Sequence, residues 1–233
     1  YTSVFGHFAG DLLGSLLFFL SKIKKESKFF LYTPSPYWDE FFKEKFGNKV
    51  YLINPLETLN KKIIFKNCKV LPRMSTAQNF ILAKNYMNRY IHTNFKEEKN
   101  LFLSSGRSSR ISNIKDVENY FKEKDFEVID PSNLPIIDCL SKIKNANVLV
   151  TEKASILNNI HLVRDKKYFI LSSSSERTNS KKSFTYAGIY KSLNEGISKD
   201  IICEDDPQNQ TVKPFKKRIR VNLSDLNKID FKG

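Results

Sequence analysis

The stretch LFLSSGRSSRISNIKDVENYFKEKDFEVID (Leu101–Asp130) decides the fold, because two short apolar segments in it flank a helical pattern. LFLSS and FEVID are typical of short strands, and the apolar residues between them recur at the spacing of an amphipathic helix. The alternation continues with a helix at about 134–144, the strand VLVTE, the helical segment KASILNNIHL and the strand YFILS. Short strands that alternate with helices predict a parallel α/β sheet.

The turns after the predicted strands are the first places to look for a ligand, because ligands of parallel sheets bind outside the carboxyl ends of the strands. The turn after LFLSS is GRSSR (Gly106–Arg110), which carries Arg107 and Arg110 among serines. Arginine offers forked donors that match phosphate oxygens, and the start of the following helix adds backbone N–H groups. This turn could therefore grip a diphosphate, and the alternative is a solvated basic loop.

The turn after VLVTE also has residues that suit a ligand. Glu152 could accept hydrogen bonds from a ribose or a base. The small residues Ala154 and Ser155 would let a ligand approach the start of the next helix, and Asn158 could brace the turn. Ordinary helix capping is the alternative interpretation of this segment.

A histidine and an aspartate near the start of the chain are candidates for a general base. His7 and Asp11 are four residues apart in a helix predicted over residues 5–24, so their side chains would share one face. A carboxylate one turn from an imidazole can orient it and raise its basicity. The alternative is a histidine that forms a hydrogen bond near the helix start. His92 and His161 have no evident partners in the sequence and are expected to be structural.

The composition is that of a basic globular protein. The 233 residues carry a formal net charge of +14, which favours anionic partners such as phosphorylated ligands, nucleic acid or an acidic membrane surface. A lysine-rich surface that serves solubility is the simpler explanation. Three widely spaced cysteines predict neither a disulfide framework nor a zinc site, and indicate a reducing, cytosolic compartment. The acidic triplet Glu204–Asp206 is expected to be solvated, so no metal is predicted.

The chain divides most naturally at the polar segment HTNFKEEKN (His92–Asn100). The first 95 residues also alternate strands and helices, so the prediction is two α/β units, 1–95 and 96–233. Further strands are expected at 61–72 and a helix at 184–196. At the end of the chain, RIRVNLSDLNKI predicts a strand and a short helix capped by Ser224. The most apolar run, LLGSLLFFL, is far shorter than the ~20 residues that cross a bilayer.

Several motifs together resemble glycosyltransferase family 61, a group of capsule-polysaccharide and glycan transferases. The opening GHFAGD resembles a Gly-His-x-x-x-Asp/Glu segment of that family, and GRSSRISN resembles its Arg-x-x-Arg turn with a following asparagine, here Asn113. The helix with Asp138, the turn that retains Asn158, and the closing RIRVNLSDLNKI also fit. The resemblance extends from Phe5 to about Ile229.

The resemblance implies two Rossmann-like units in a GT-B-like architecture. A nucleotide-sugar donor would bind to the C-terminal unit, where Arg107 and Arg110 would hold its diphosphate and Asn113 would lie on the donor side. The N-terminal unit would face a glycan acceptor and offer His7 or Asp11 as the base. It is short for a full unit, which predicts residues upstream of Tyr1. Transfer would be inverting and independent of a metal or cofactor.

The sequence departs from the family pattern at the second turn. Glu152 and Lys153 replace a His-Gly pair, and Ser155 stands where a second small residue, usually glycine, is expected. Lys153 could replace lost phosphate contacts by its charge. The predicted function is transfer of a sugar in surface or capsular polysaccharide synthesis, by a cytoplasmic enzyme whose lysines suit contact with a membrane that carries a lipid-linked acceptor. The alternatives are a degenerate glycan- or nucleotide-binding homologue and a basic nucleic-acid-binding protein.

Overall fold

The computed structural model is a mixed α/β protein and describes residues 13–22, 28–32, 36–53, 77–89, 91, 99–105, 110–154, 156–173, 197–209 and 218–231. Within these residues the helices are α1 (Gly14–Lys22), α2 (Pro36–Phe46), α3 (Ala77–Met87), α4 (Ile114–Glu123), α5 (Ile136–Asn145), α6 (Leu157–Val163) and α7 (Leu223–Leu226). The strands are β1 (Phe29–Tyr32), β2 (Val50–Ile53), β3 (Asn100–Leu103), β4 (Phe126–Ile129), β5 (Leu149–Glu152), β6 (Tyr168–Ser173), β7 (Ser198–Asp205) and β8 (Ile219–Arg220).

The N-terminal part contains a small parallel sheet of β1 and β2, with α2 between them in the chain. The helices α1 and α3 pack against each other. A Cβ atom on Gly14 would lie 2.2 Å from the backbone oxygen of Asn79, so only glycine fits at this crossing. The helix α3 also packs against α6, and α2 packs against α5, which joins this part to the rest of the protein.

A six-stranded sheet in the order β4-β3-β5-β6-β7-β8 forms the larger part. Its first five strands are parallel and β8 is antiparallel to β7. A bridge between Ile111 and Ile219 brings the segment after β3 to β8, so the sheet curls back toward its own centre. The predicted parallel α/β sheet is therefore confirmed.

Helices cover both faces of this sheet. Successive strand residues point to opposite sides, and apolar side chains on each side pack against helices. On β3, Leu101 and Leu103 belong to the apolar cluster that includes α5 and α6, whereas Phe102 belongs to the cluster that includes α4. The connection from β3 to β4 through α4 therefore crosses one face of the sheet. The connection from β4 to β5 through α5 crosses the opposite face. The cluster with α5 and α6 also contains buried residues of α1, α2 and α3. The division into units 1–95 and 96–233 remains a prediction.

Most element predictions in the described residues agree with the structure to within a few positions. One is wrong: the last helix is capped by Asn222, whose side-chain oxygen accepts the backbone N–H of Ser224 at 3.0 Å. Asparagine serves because its short side chain reaches back to the free N–H groups of the first turn. The first helix is described from Gly14 onward. The strands expected at 61–72 and the helix expected at 184–196 lie outside the described residues.

Candidate functional site

The point where the strand order reverses lies between β3 and β5. The chain leaves β3 for β4 on one side and returns to β5 on the other, so the turns after β3 and β5 leave the same edge of the sheet side by side. In parallel sheets this crevice is the usual place for a ligand. These two turns are the ones that the sequence indicated.

A buried glutamate at the end of β5 holds the turn that follows β3. Glu152 is 2% exposed, and each of its carboxylate oxygens accepts one backbone N–H. Ser105 donates to Oε1 at 3.1 Å, and Arg110 donates to Oε2 at 2.9 Å. Both predicted ligand turns are therefore joined by a single side chain.

Arg110 is held by its backbone and by its side chain. Its N–H donates to Glu152, and its carbonyl oxygen accepts the N–H of Ile219 at 2.8 Å. Its guanidinium Nη2 donates to the carbonyl oxygen of Lys153, the residue that follows β5. The half-buried Arg110 is thus fixed at the crevice by contacts with β5 and β8.

A small cleft at this edge brings together charged and hydroxyl groups. Its lining residues are Arg110, Glu152, Lys153, Leu171, Ser172, Ser173 and Ile219. The cleft contains two cationic side chains and one carboxylate, and the carboxylate oxygens accept backbone N–H groups. Such a cleft suits an anion that the two cations bind, with the serine hydroxyl groups of the protein beside it.

The two serines in the cleft were missed by the sequence interpretation. Ser172 and Ser173 are the last residues of β6, and both are buried. The Ser173 hydroxyl donates to the carboxylate of Asp205, which ends β7. Their position at the end of the predicted strand YFILS was a usable signal, because parallel strands end at a common edge.

Asn113 lies directly before α4, and its amide is engaged by the chain itself. Its Nδ2 donates to the carbonyl oxygen of Val221 at 2.9 Å, and its Oδ1 accepts the Val221 N–H at 3.0 Å. This pair joins the start of α4 to the residue after β8. A donor contact from Asn113 remains a prediction.

Other predicted site residues lie outside the described part of the chain. They are His7, Asp11, Arg107 and Ser155, together with the side chain of Asn158. Among the described residues, no group of three or more His, Cys, Asp or Glu side chains is arranged to hold a metal ion. In the acidic triplet, the backbone N–H of Gln208 and the hydroxyl of Ser112 hold the pKa of Asp206 below its usual range.

One histidine and two cysteines among the described residues are buried structural groups. Tyr168 Oη lies 3.1 Å from His161 Nδ1, and burial, with a contribution from Lys84, lowers the pKa of His161 to about 4. Burial raises the pKa of the Cys139 thiol to about 12 and that of Cys203 to about 11. Thiols with such pKa values are not nucleophiles at neutral pH.

The family model described as Glycosyltransferase 61 matches residues 5–170, which is more than half of the chain and includes both turns at the crevice. A search of curated proteins found no match to this chain. No helix among the described residues is long and apolar enough to cross a membrane.

Proposed function

Because this chain belongs to glycosyltransferase family 61 and is therefore a glycosyltransferase, we propose that it transfers a sugar, with inversion and without a metal, from a nucleotide-sugar donor to a glycan acceptor. The observation that carries the proposal is the cleft at the point where the strand order reverses. Arg110 and Lys153 line this cleft, at the edge where parallel sheets bind phosphorylated ligands.

The donor diphosphate would lie against these two cations. As the bond between the anomeric carbon and the phosphate oxygen breaks, the leaving diphosphate takes the electron pair and gains negative charge. Arg110 and Lys153, with Arg107 from the same turn as Arg110, would stabilise that charge where a metal serves in other enzymes. Ser155 and Asn158, in the turn after β5, would contact the donor nearby.

The acceptor would be activated from the N-terminal part of the chain. A sugar hydroxyl would lose its proton to His7 or Asp11 as its oxygen attacks the anomeric carbon from the face opposite the diphosphate. We favour His7, because the pKa of an imidazole is closer to neutral than that of a carboxylate. Attack from the opposite face inverts the configuration of the anomeric carbon.

The remaining parts of the proposal concern architecture and setting. We propose two Rossmann-like units, 1–95 and 96–233, in a GT-B-like arrangement, with the acceptor on the first and the donor on the second. The setting is surface or capsular polysaccharide synthesis in the cytoplasm, with a lipid-linked acceptor. The formal net charge of +14 supports contact with an anionic membrane surface.

The test is a panel of UDP-, GDP- and CMP-sugars, scored by thermal stabilisation and by release of free nucleotide. With the donor that responds, Arg110→Ala is expected to lower kcat/KM by about 100-fold, because it removes a cation that faces the leaving group. Lys122→Ala is the matched control, since it removes an exposed cation of the last turn of α4, away from the cleft. EDTA is expected to leave the rate unchanged.

Four outcomes would contradict the proposal. Stabilisation by no nucleotide sugar would remove the donor assignment, and equal losses in Arg110→Ala and Lys122→Ala would remove the cleft as its site. A product with the anomeric configuration of the donor, measured by NMR, would exclude inversion. Binding without any release of nucleotide would indicate a homologue that has kept the site and lost turnover.

A further inference from the structure

The contacts of Glu152 give it a different role from the donor contact that its position suggested. An ionised carboxylate is an acceptor with two oxygens, and here each oxygen accepts a backbone N–H, from Ser105 and from Arg110. The side chain is 2% exposed, so little of it is left to meet a ligand. A buried carboxylate is tolerated where hydrogen bonds of this kind replace its water.

The two N–H groups come from the two ends of one turn. Ser105 is the second residue after β3, and Arg110 is five residues later, where the chain turns toward β8. A single carboxylate 42 residues or more away in the sequence therefore fixes both ends relative to β5. No other common side chain of this length offers two acceptors and no donor, since glutamine presents an NH₂ group in place of one oxygen.

A second contact crosses the crevice in the same place. The guanidinium of Arg110 donates to the carbonyl oxygen of Lys153, next in the chain to Glu152. Backbone and side chain of Arg110 are thus both held by the end of β5. Resting on the proposed function, we propose that Glu152 is a positioning residue, which fixes Arg110 at the cleft for a diphosphate and does not itself bind the donor.

The proposal predicts the direction in which neutralising Glu152 changes the affinity for an anion. A carboxylate beside an anion site repels the anion, so if charge alone mattered its neutralisation would strengthen anion binding. If Glu152 positions Arg110, the same change weakens binding, because the anion must then also order the cation that holds it. If Glu152 instead binds a ribose or a base, a probe without either group is unaffected.

The experiment therefore uses inorganic pyrophosphate as the probe, which carries the diphosphate without sugar or nucleoside. Binding is measured by calorimetry for the wild type, Glu152→Gln, Glu152→Ala and the control Glu127→Gln. Glu127 is a carboxylate of β4 that forms an ion pair with Lys142 at 2.7 Å, away from the cleft. We expect the dissociation constant to rise about tenfold or more in both Glu152 variants and to stay unchanged in the control.

Amide hydrogen exchange at Ser105 and Arg110, followed by NMR, tests the two hydrogen bonds to Glu152 without any ligand. In Glu152→Ala both amides are expected to exchange at least about tenfold faster than in the wild type, and in Glu152→Gln at least one of them. Glu127→Gln is expected to leave both unchanged. A variant that loses global stability alone would raise exchange throughout the sheet and leave pyrophosphate affinity of the folded protein intact.

Each other result overturns the inference. Tighter pyrophosphate binding in Glu152→Gln would make the residue a source of repulsion, and unchanged binding would return it to contact with sugar or base. Unchanged protection of both amides in Glu152→Ala would show that Glu152 does not hold the two ends of the turn. If wild-type protein binds neither pyrophosphate nor a nucleotide sugar, the proposed function fails, whereas amide exchange still decides whether Glu152 holds the turn.

Discussion

Two arginines at opposite edges of the six-stranded sheet show how one residue type serves two purposes. Arg164, at the edge where β5 and β6 begin, is 1% exposed and donates to the carbonyl oxygens of Ile143, Ala146, Asn147 and Lys167. Arg110, at the edge where these strands end, is half-buried and lines a cleft. Both side chains donate to backbone carbonyl oxygens. The guanidinium of Arg164 is buried, whereas that of Arg110 also faces the cleft.

The difference follows from the geometry of the two edges. At the edge of Arg164, the helix α5 ends, and its last carbonyl groups lack partners within the helix, so a guanidinium satisfies them. All five N–H groups of Arg164 point at carbonyl oxygens between 2.7 and 3.2 Å away. At the edge of Arg110, the strand order reverses between β3 and β5, and this is where parallel sheets bind ligands. We infer that one edge stabilises the fold and the other carries the chemistry.

Replacement of Arg164 is expected to have the largest effect on stability. Arg164→Met keeps the aliphatic bulk but removes five donors from four backbone carbonyls, which is expected to lower the free energy of unfolding by about 4 kcal/mol. Urea unfolding measures the change. Arg110→Ala, which loses the guanidinium contact with the carbonyl oxygen of Lys153, is expected to cost about 1 kcal/mol. Equal losses in the two variants would remove the distinction between the edges.

Acid is expected to weaken the same edge through His161. The ring lies beside Tyr168, the first residue of β6, with Lys84 of α3 nearby, and burial lowers its pKa to about 4 from the usual 6.5. Between pH 6.5 and 4 the unfolded chain binds a proton that the folded protein excludes, so stability falls as the pH is lowered through this window. The loss approaches about 3 kcal/mol and is complete below pH 4.

Unfolding in urea at pH 7.0 and 4.5, for wild type and His161→Gln, isolates this contribution. The variant has no imidazole to titrate, so its stability is expected to fall less between the two pH values. The acidic groups elsewhere titrate in both proteins and cancel in the difference. Parallel pH dependence of the two proteins would show that His161 is protonated in the folded protein as easily as in the unfolded chain.

The strands and the parallel sheet could be predicted because they depend on neighbours in the sequence. Short apolar segments alternate with helical periodicity from Leu101 to Ser172, and that pattern alone indicates a parallel sheet and its ligand-binding edge. Arg110, the last residue of the segment GRSSR that follows the predicted strand LFLSS, lies at that edge. These predictions need only the period at which apolar side chains recur along the sequence.

The roles of individual polar residues could not be predicted, because their partners are distant in the sequence. The partners of Glu152 are 47 and 42 residues away, and the amide of Asn113 pairs with a residue 108 positions later. Arg164 is one of 39 basic residues and has no local feature that announces its burial. His161 was expected to be structural, yet Tyr168 as its partner emerged only from the packing of α6 on β6.

The smallest effect is expected from Ser173 at the cleft. Its replacement tests whether this serine only stabilises the edge of the sheet or also contacts the bound anion. The Ser173 hydroxyl donates to the Asp205 carboxylate, and the Ser132 hydroxyl donates to the Asp130 carboxylate at 2.7 Å, outside the cleft. Ser173→Ala and Ser132→Ala thus remove the same kind of bond, and each is expected to lower stability by about 1 kcal/mol. If Ser173 only supports the edge, pyrophosphate binding changes by less than about threefold in both. A loss confined to Ser173→Ala and larger than that would show that the hydroxyl contacts the anion, and would extend the set of ligand contacts from the two cations to the end of β6.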